Sequence, residues 1–340
     1  MRTALNLKDV TIGMTDAELE FACKARIIWS RVQVYWTSEM YSFGKCLRYW
    51  AKFPRVLPLN VYSDHGVGLF SQLFPFELES QANVHFTWHP MKERRYKNLT
   101  DKKVIRIIHP WISYRRLRGI TRSEIPNGTL VFFSHSTSQQ KWEGHDTEVY
   151  FEKLRELPDK FQPVVLCLHM HDINTGVHKE LRRHGFPIVT AGNINSTNFV
   201  DCFYDLIKNY AYGTSPSYGS QVAYFVEFGI PYFFLGEKPK VINIANTNLP
   251  LGVVPEYYDK YHGEYGKKAE ELFRVPVDTV TDEQRAFVES LLGLDSQMTR
   301  RQVSWILWRE LFSNWRAWSI VAKNVSVKPL RRLLKIARII

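Results

Sequence analysis

Between Thr129 and Gly236 the chain alternates apolar runs with helical segments, and this rhythm limits the fold more than any other feature. The runs are TLVFFSH (129–135), PVVLCLHM (163–170), PIVTAG (187–192), AYGTS (211–215) and IPYFFLG (230–236). Between them, residues 146–158, 174–185, 196–210 and 222–229 carry helical spacing. Asp146 suits an N-cap, Pro158 lies beyond a helix end, and Gly185 fits the C′ position. The runs are continuously apolar, as strands covered on both faces must be. They predict βαβ units in a parallel sheet.

A weaker form of the pattern precedes it. Residues 25–36, 56–64, 83–89 and 103–109 read as strands and 42–53 as a helix, with turn chemistry at EIPNG (124–128). After residue 276 the pattern becomes helical, over 281–294 and 299–324. The expected division is 1–125, a first α/β domain; 126–275, a Rossmann-like second domain; and 276–340, C-terminal helices with a basic tail.

A 45% hydrophobic composition supports a sizeable core and argues against disorder. The four cysteines form no CxxC pair, which argues against a thiolate zinc site. The opening residues are polar and acidic where a signal peptide needs an apolar run, and no stretch reaches the roughly 20 apolar residues of a membrane span. The expectation is a cytoplasmic protein with at most peripheral membrane contact. The net charge of +11 is concentrated at 93–123 and 300–340, which points to an anionic partner.

The segment TSPSYGSQVAYFVEFGIPYFFLG (214–236) holds the strongest local signal. Ser215, Ser217, Gly219 and Ser220 lie in a small-residue loop opening a helix, where hydroxyls, free N–H groups and the helix dipole suit a phosphate. Ser217 and Ser220 would equally serve as helix caps. His135, Ser136 and Thr137 follow the first strand of the same half and are placed to donate to a leaving phosphate. His169 ends the second strand, with His171 and Asp172 close by; an ordinary strand-end histidine is the plain alternative. In the first half, SDHG (63–66) ends a strand in a glycine-containing loop, where Asp64 or His65 is held rigidly, or Asp64 merely forms the turn. The pairs His89-Pro90 and His109-Pro110 read as strand ends. No HExxH or DxD-like cluster appears, so no metal is expected.

Two α/β halves followed by helices resemble the GT-B glycosyltransferases. The serine loop and His169 are distantly similar to bacterial sialyltransferases, polysialyltransferases and related polymer phosphotransferases, with Met170 where those carry proline. The resemblance implies a nucleotide-sugar donor on the second half, an acceptor on the first, and reaction in the cleft. It implies donor-binding roles for His169 and Glu227, and it makes Asp64 or His65 the catalytic base, in a loop like the acidic-acidic-glycine motif of the sialyltransferases. Retaining members pair two glutamates across seven residues; Gly219 occupies the partner position of Glu227, which favours inversion without a metal.

The final KPLRRLLKIARII (328–340) interleaves Leu and Ile with Arg331, Arg332, Lys335 and Arg338, as an anchor on anionic lipid would. Trp305, Trp308, Trp315 and Trp318, just before it, read as core or as a helix packing back on the first half. The expected function is therefore a membrane-associated transferase building a surface glycan such as capsule or lipopolysaccharide O-antigen on a lipid-linked or growing glycan acceptor. A CMP-activated acid sugar is the favoured donor, UDP- and GDP-sugars remain open, and no cofactor is implied beyond the nucleotide-sugar substrate. The alternatives are a sugar-nucleotide epimerase of the same fold or a basic nucleic-acid-binding protein. The second lacks any recognition motif for nucleic acid.

Overall fold

The computed structural model describes residues 11–24, 34–64, 66–69, 75–97, 99–133, 140–143, 147–243, 252–253 and 255–313. In the first half, β1 (Tyr62–Ser63), β2 (Val84–Thr87) and β3 (Lys103–Arg106) form a parallel sheet in that order. Around it lie α2 (Phe43–Ala51), α3 (Pro75–Glu79), α4 (Pro90–Lys97) and α5 (Pro110–Arg118), whereas α1 (Asp16–Lys24) packs on the second half, where Arg182 pairs with Asp16. The second half follows with β4 (Thr129–Phe132), β5 (Gln140–Glu143), α6 (Thr147–Arg155), β6 (Val164–Cys167), α7 (Met170–Thr175), α8 (Val177–Leu181), β7 (Ile188–Val189), α9 (Phe199–Ile207), β8 (Tyr212–Ser215), α10 (Ser220–Glu227) and β9 (Tyr232–Phe234). Next come β10 (Lys240–Asn243), β11 (Gly252–Val253), α11 (Pro255–Phe273), α12 (Asp282–Leu291) and α13 (Arg300–Ser313).

The larger sheet runs β7-β6-β4-β8-β9 with every pairing parallel. The chain enters at the centre, winds outward through β6 and β7, then returns to wind the other way through β8 and β9. This is the doubly wound, Rossmann-like order, and its direction reverses between β4 and β8. β6 is buried along its length, as the unbroken apolar run predicted. A separate antiparallel set, β11-β10-β5, completes the strands described. The α/β class with parallel sheets in two halves and helices at the C-terminal end is thus what the structure shows.

Several boundaries differ from expectation, each for a local reason. The run 163–170 stops as a strand at Cys167 because His169 caps α7. The helix expected over 174–185 breaks at Gly176, whose φ of 86° ends α7 and starts α8. Only Tyr62 and Ser63 of 56–64 pair as a strand.

The halves share a core. Phe43, Trp111 and Ile112 from the first pack in one apolar cluster with Leu130, Phe203 and Tyr224 from the second. Polar ties cross the same boundary: Tyr41 N–H donates to Ile194 O at 2.7 Å, Ser42 Oγ to Ser196 O at 2.9 Å, and Lys45 pairs with Asp201. A second cluster lies wholly on the first half, where Leu47, Val61, Phe86 and Ile107 receive Val303, Ile306, Leu307 and Leu311 of α13. Asn60 fixes that return by donating to Glu310 O at 2.9 Å. Trp308 packs at this seam, but Trp305 is exposed rather than core; Trp315 and Trp318 lie outside the described residues.

Candidate functional site

Ligands of doubly wound sheets sit outside the carboxyl ends of the strands where the winding reverses. Here that position lies at the carboxyl ends of β4 and β8. The β4 loop holds His135, Ser136 and Thr137, which lie outside the described residues. The β8 loop is ordered by its own hydrogen bonds: Ser215 Oγ donates to Ser217 O at 2.7 Å, and Leu235 N–H donates to Ser215 O. It ends at Gly219, the N-cap of α10, and no side chain caps that helix. Neither Ser217 nor Ser220 is used as a cap. The opening turn of α10 therefore presents N–H groups and the positive end of its dipole beside partly exposed Ser217 and Ser220.

The first half closes over this turn. Val67 N–H donates to Ser220 Oγ at 2.8 Å, and Gly66 adopts φ +70° directly against it. A Cβ on Gly66 would stand 2.6 Å from Ser220 Oγ, so the approach requires glycine. The loop is held from behind by Trp88 Nε1–H, which donates to Gly66 O at 2.8 Å. The acceptor-side and donor-side loops singled out from sequence are thus in contact.

Asp64, at the base of that loop, is buried and accepts three hydrogen bonds: from Thr87 Oγ1 at 2.7 Å, His85 Nε2 at 2.9 Å and Lys92 Nζ at 3.1 Å. Burial raises its pKa, but Lys92, His85 and Thr87 outweigh burial and hold it well below the usual carboxylate range. Lys92 also donates to Glu77 at 2.7 Å. Burial dominates at Glu77 and pushes its pKa up, against the pull of Lys92. Asp64, Glu77 and His85 bring ligand atoms within 4.8 Å of one another. The Lys92 ammonium lies against both carboxylates and already supplies the cation there. His65 is outside the described residues.

Three strand-end histidines use one device. His89, His109 and His169 each cap the following helix, their Nδ1 accepting the N–H of Met91, Trp111 and His171 respectively. A nitrogen that accepts an N–H carries no proton, so each neutral ring holds its hydrogen on Nε2. His169 Nε2–H then donates to Tyr41 Oη at 3.3 Å, and His109 Nε2–H to Tyr224 Oη at 3.2 Å. His89 Nε2–H is buried and has no partner among the described residues. Burial lowers the pKa of His89 to about 4 and that of His109 well below the ordinary value. Beside His169, Asp172 accepts its backbone N–H and completes a capping box. Burial pushes the Asp172 carboxyl up to about 7, with that hydrogen bond opposing it.

Tyr41, which no sequence signal marked, meets His169 at the end of β6. It adopts φ 52° and Ser42 φ 60°, two left-handed non-glycine residues in succession. The arrangement is held by Ile194 O, which accepts from Tyr41 N–H, and by Trp111 Nε1–H, which donates to Tyr41 O at 2.8 Å.

Glu227 lies in the last turn of α10, at the opposite end from the serine loop, and its carboxylate is taken up by α5. Arg115 donates to both of its oxygens at 2.6 and 3.1 Å, and Arg116 to Oε1 at 3.0 Å. It ties the halves together rather than joining the crevice. The basic tail residues Arg331, Arg332, Lys335 and Arg338 lie outside the described residues, and among those described no helix is long and apolar enough to cross a membrane.

No known family model matches the sequence, and no curated protein matches it. Among solved structures, the wall teichoic acid polymerase TagF is similar at a TM-score of 0.37 and 9% sequence identity, over 76% of this chain and 69% of that one.

Proposed function

We propose that the protein is a glycosyltransferase that takes a nucleotide-sugar donor in the crevice between its halves and builds a surface glycan at an anionic membrane. The observation that carries this reading is the contact of the serine loop with the Asp64–Val67 loop across the carboxyl ends of two parallel sheets. The donor phosphates lie on the opening turn of α10, against its N–H groups, Ser217 and Ser220, with the His169–Tyr41 pair at the end of β6, on the far side of β4.

The reaction is an inverting displacement. A base takes the proton of an acceptor hydroxyl, the oxygen bonds to the anomeric carbon, and the bond from that carbon to the phosphate oxygen breaks. The nucleotide leaves with the bonding pair, stabilised by the α10 turn. We assign the base to His65. Asp64, saturated with donors and held ionised, has little tendency to accept a proton and serves to fix the loop. The basic segment 328–340 keeps the enzyme near a lipid-linked acceptor.

A thermal-shift panel of CMP, CDP, UDP, GDP and TDP tests the donor site, and at least one is expected to raise the melting temperature. No shift with any of them would sink the proposal. His65→Ala is expected to lower turnover by roughly 10²- to 10⁴-fold, the usual contribution of a positioned base. Near-normal turnover would move the base elsewhere.

A further inference from the structure

A pocket of about 520 Å³ opens on the first half between α2, α5 and the start of α13, and shares no lining residue with the crevice. Arg48, Lys52, Arg55 and Arg300 line it, with Tyr49, Phe53 and Leu117 forming an apolar wall. Arg48 is matched by Glu39, which accepts from it at 2.5 and 2.8 Å. No acidic side chain is among the described residues that line the pocket.

Two backbone features concentrate positive charge there against local preference. Lys52 sits at φ 52° as the residue closing α2, the position that Gly119 fills at φ 62° after α5. Glycine suits that conformation and lysine is strained in it, so the cation is kept at a conformational cost. Arg300 and Arg301 open α13 with no acidic residue in the first turn, although the helix dipole repels cations at that end. Arg300 Nε–H is buried without a partner among the described residues. Arg300 Nη2 donates to Tyr49 O at 3.1 Å, and a bound anion would offset the gathered charge and accept from the remaining N–H.

The surroundings indicate which anion. Phe53 packs edge-on against Trp308 at 4.9 Å, and Trp308 stacks on Phe312 at 5.8 Å. Phe312 is 62% exposed, Trp305 60% and Leu117 46%. Cations among exposed aromatic rings match the headgroup level of an anionic bilayer, where rings enter the interface and lysine and arginine meet phosphate. We propose that this pocket takes the phosphate of an anionic phospholipid headgroup and seats the first half on the membrane. The inference rests on the membrane-surface part of the function proposed above and is independent of the nucleotide site.

The test is sedimentation of the full chain with vesicles of phosphatidylcholine, alone or mixed with phosphatidylglycerol. Lys52→Gly removes a cation at a backbone position that glycine adopts freely, so it keeps the fold. Combined with Arg55→Gln and Arg300→Gln it should weaken binding to the mixed vesicles by about fivefold per cation, on the order of 100-fold in all. Nucleotide-induced melting shifts should be unchanged. Wild-type binding by the triple variant, both in the full chain and in a chain ending at residue 327, would overturn the proposal. So would failure of the wild type to bind mixed vesicles, or its displacement from them by millimolar glycerol phosphate, which would mark a soluble ligand. If vesicle binding responds as expected while no nucleotide shifts the melting temperature, the crevice assignment falls and this one stands.

Discussion

The backbone N–H of Val67 donates to Ser220 Oγ at 2.8 Å, joining a loop of the first half to the opening turn of α10 in the second. A hydroxyl accepts and donates at once, so Ser220 can receive Val67 and still give its proton to a phosphate oxygen. The bond between the halves and the bond to a ligand are compatible, and each orients the other.

Ser220→Ala should therefore lose about 1 kcal/mol of stability, the usual net contribution of one hydrogen bond, and bind nucleotide more weakly. Gly66→Ala should cost about 1–2 kcal/mol for a left-handed alanine, plus the clash of its methyl with Ser220 Oγ. In the double variant the clash is gone and only the backbone strain remains. Denaturant unfolding of the four proteins should show a combined loss smaller than the two single losses added together. Simple additivity would mean that the loops are apart in solution.

Glu227→Gln separates a fastening role from a ligand role. The Glu227 side chain is 2% exposed and that of Arg115 15%, whereas Arg116 is about half in solvent. Removing the charge leaves Arg115 poorly compensated and should cost about 2–3 kcal/mol, less than a fully buried pair would. Thermal unfolding reads that loss. Nucleotide affinity, measured well below the melting temperature, should be unchanged. A drop in affinity with stability intact would return Glu227 to the donor site.

Two buried groups give stability opposing slopes with pH. Asp172 keeps its proton up to about pH 7 when folded but releases it near 3.8 when unfolded, so its contribution is full below pH 3.8 and is lost as pH rises to 7. His89 is neutral down to about pH 4 when folded but protonates near 6.5 when unfolded, so its contribution is full above pH 6.5 and is lost as pH falls to 4. Asp172→Asn keeps an acceptor for His169 N–H and removes the first slope. Its advantage over the wild type should be largest above pH 7 and should shrink toward pH 4. A constant difference across that range would show that Asp172 titrates as an ordinary surface carboxylate.

The second half was legible because its strands are buried on both faces. TLVF and VVLC admit few readings once helical segments separate them, and the parallel pairing follows, although the order β7-β6-β4-β8-β9 came only with the structure. The serine loop was legible for the same reason, since its place at a strand end is set by topology. What sequence could not show depends on partners distant in the chain. Tyr41 carries its left-handed backbone because Ile194 and Trp111 hold it there, and nothing local in TSEMYSF announces that. The partners of Glu227, Arg115 and Arg116, lie more than 100 residues earlier, and nothing local in VEFG announces them. The letters WHP, IHP and LHM were visible, but the capping role of their histidines required the ψ angles and N–H directions of the folded chain.

The return of α13 to the first half has a consequence for the order in which the protein is made. Leu47, Phe86 and Ile107 emerge from the ribosome early, yet their cluster is completed by Val303, Ile306, Leu307 and Leu311, roughly 200 residues later. The usual order of N-terminal domain first should then be reversed, with the second half assembling during synthesis while the first waits with an open apolar face. Nascent chains stalled before residue 300 should hold a protease-resistant second half beside a first half that chaperones still bind.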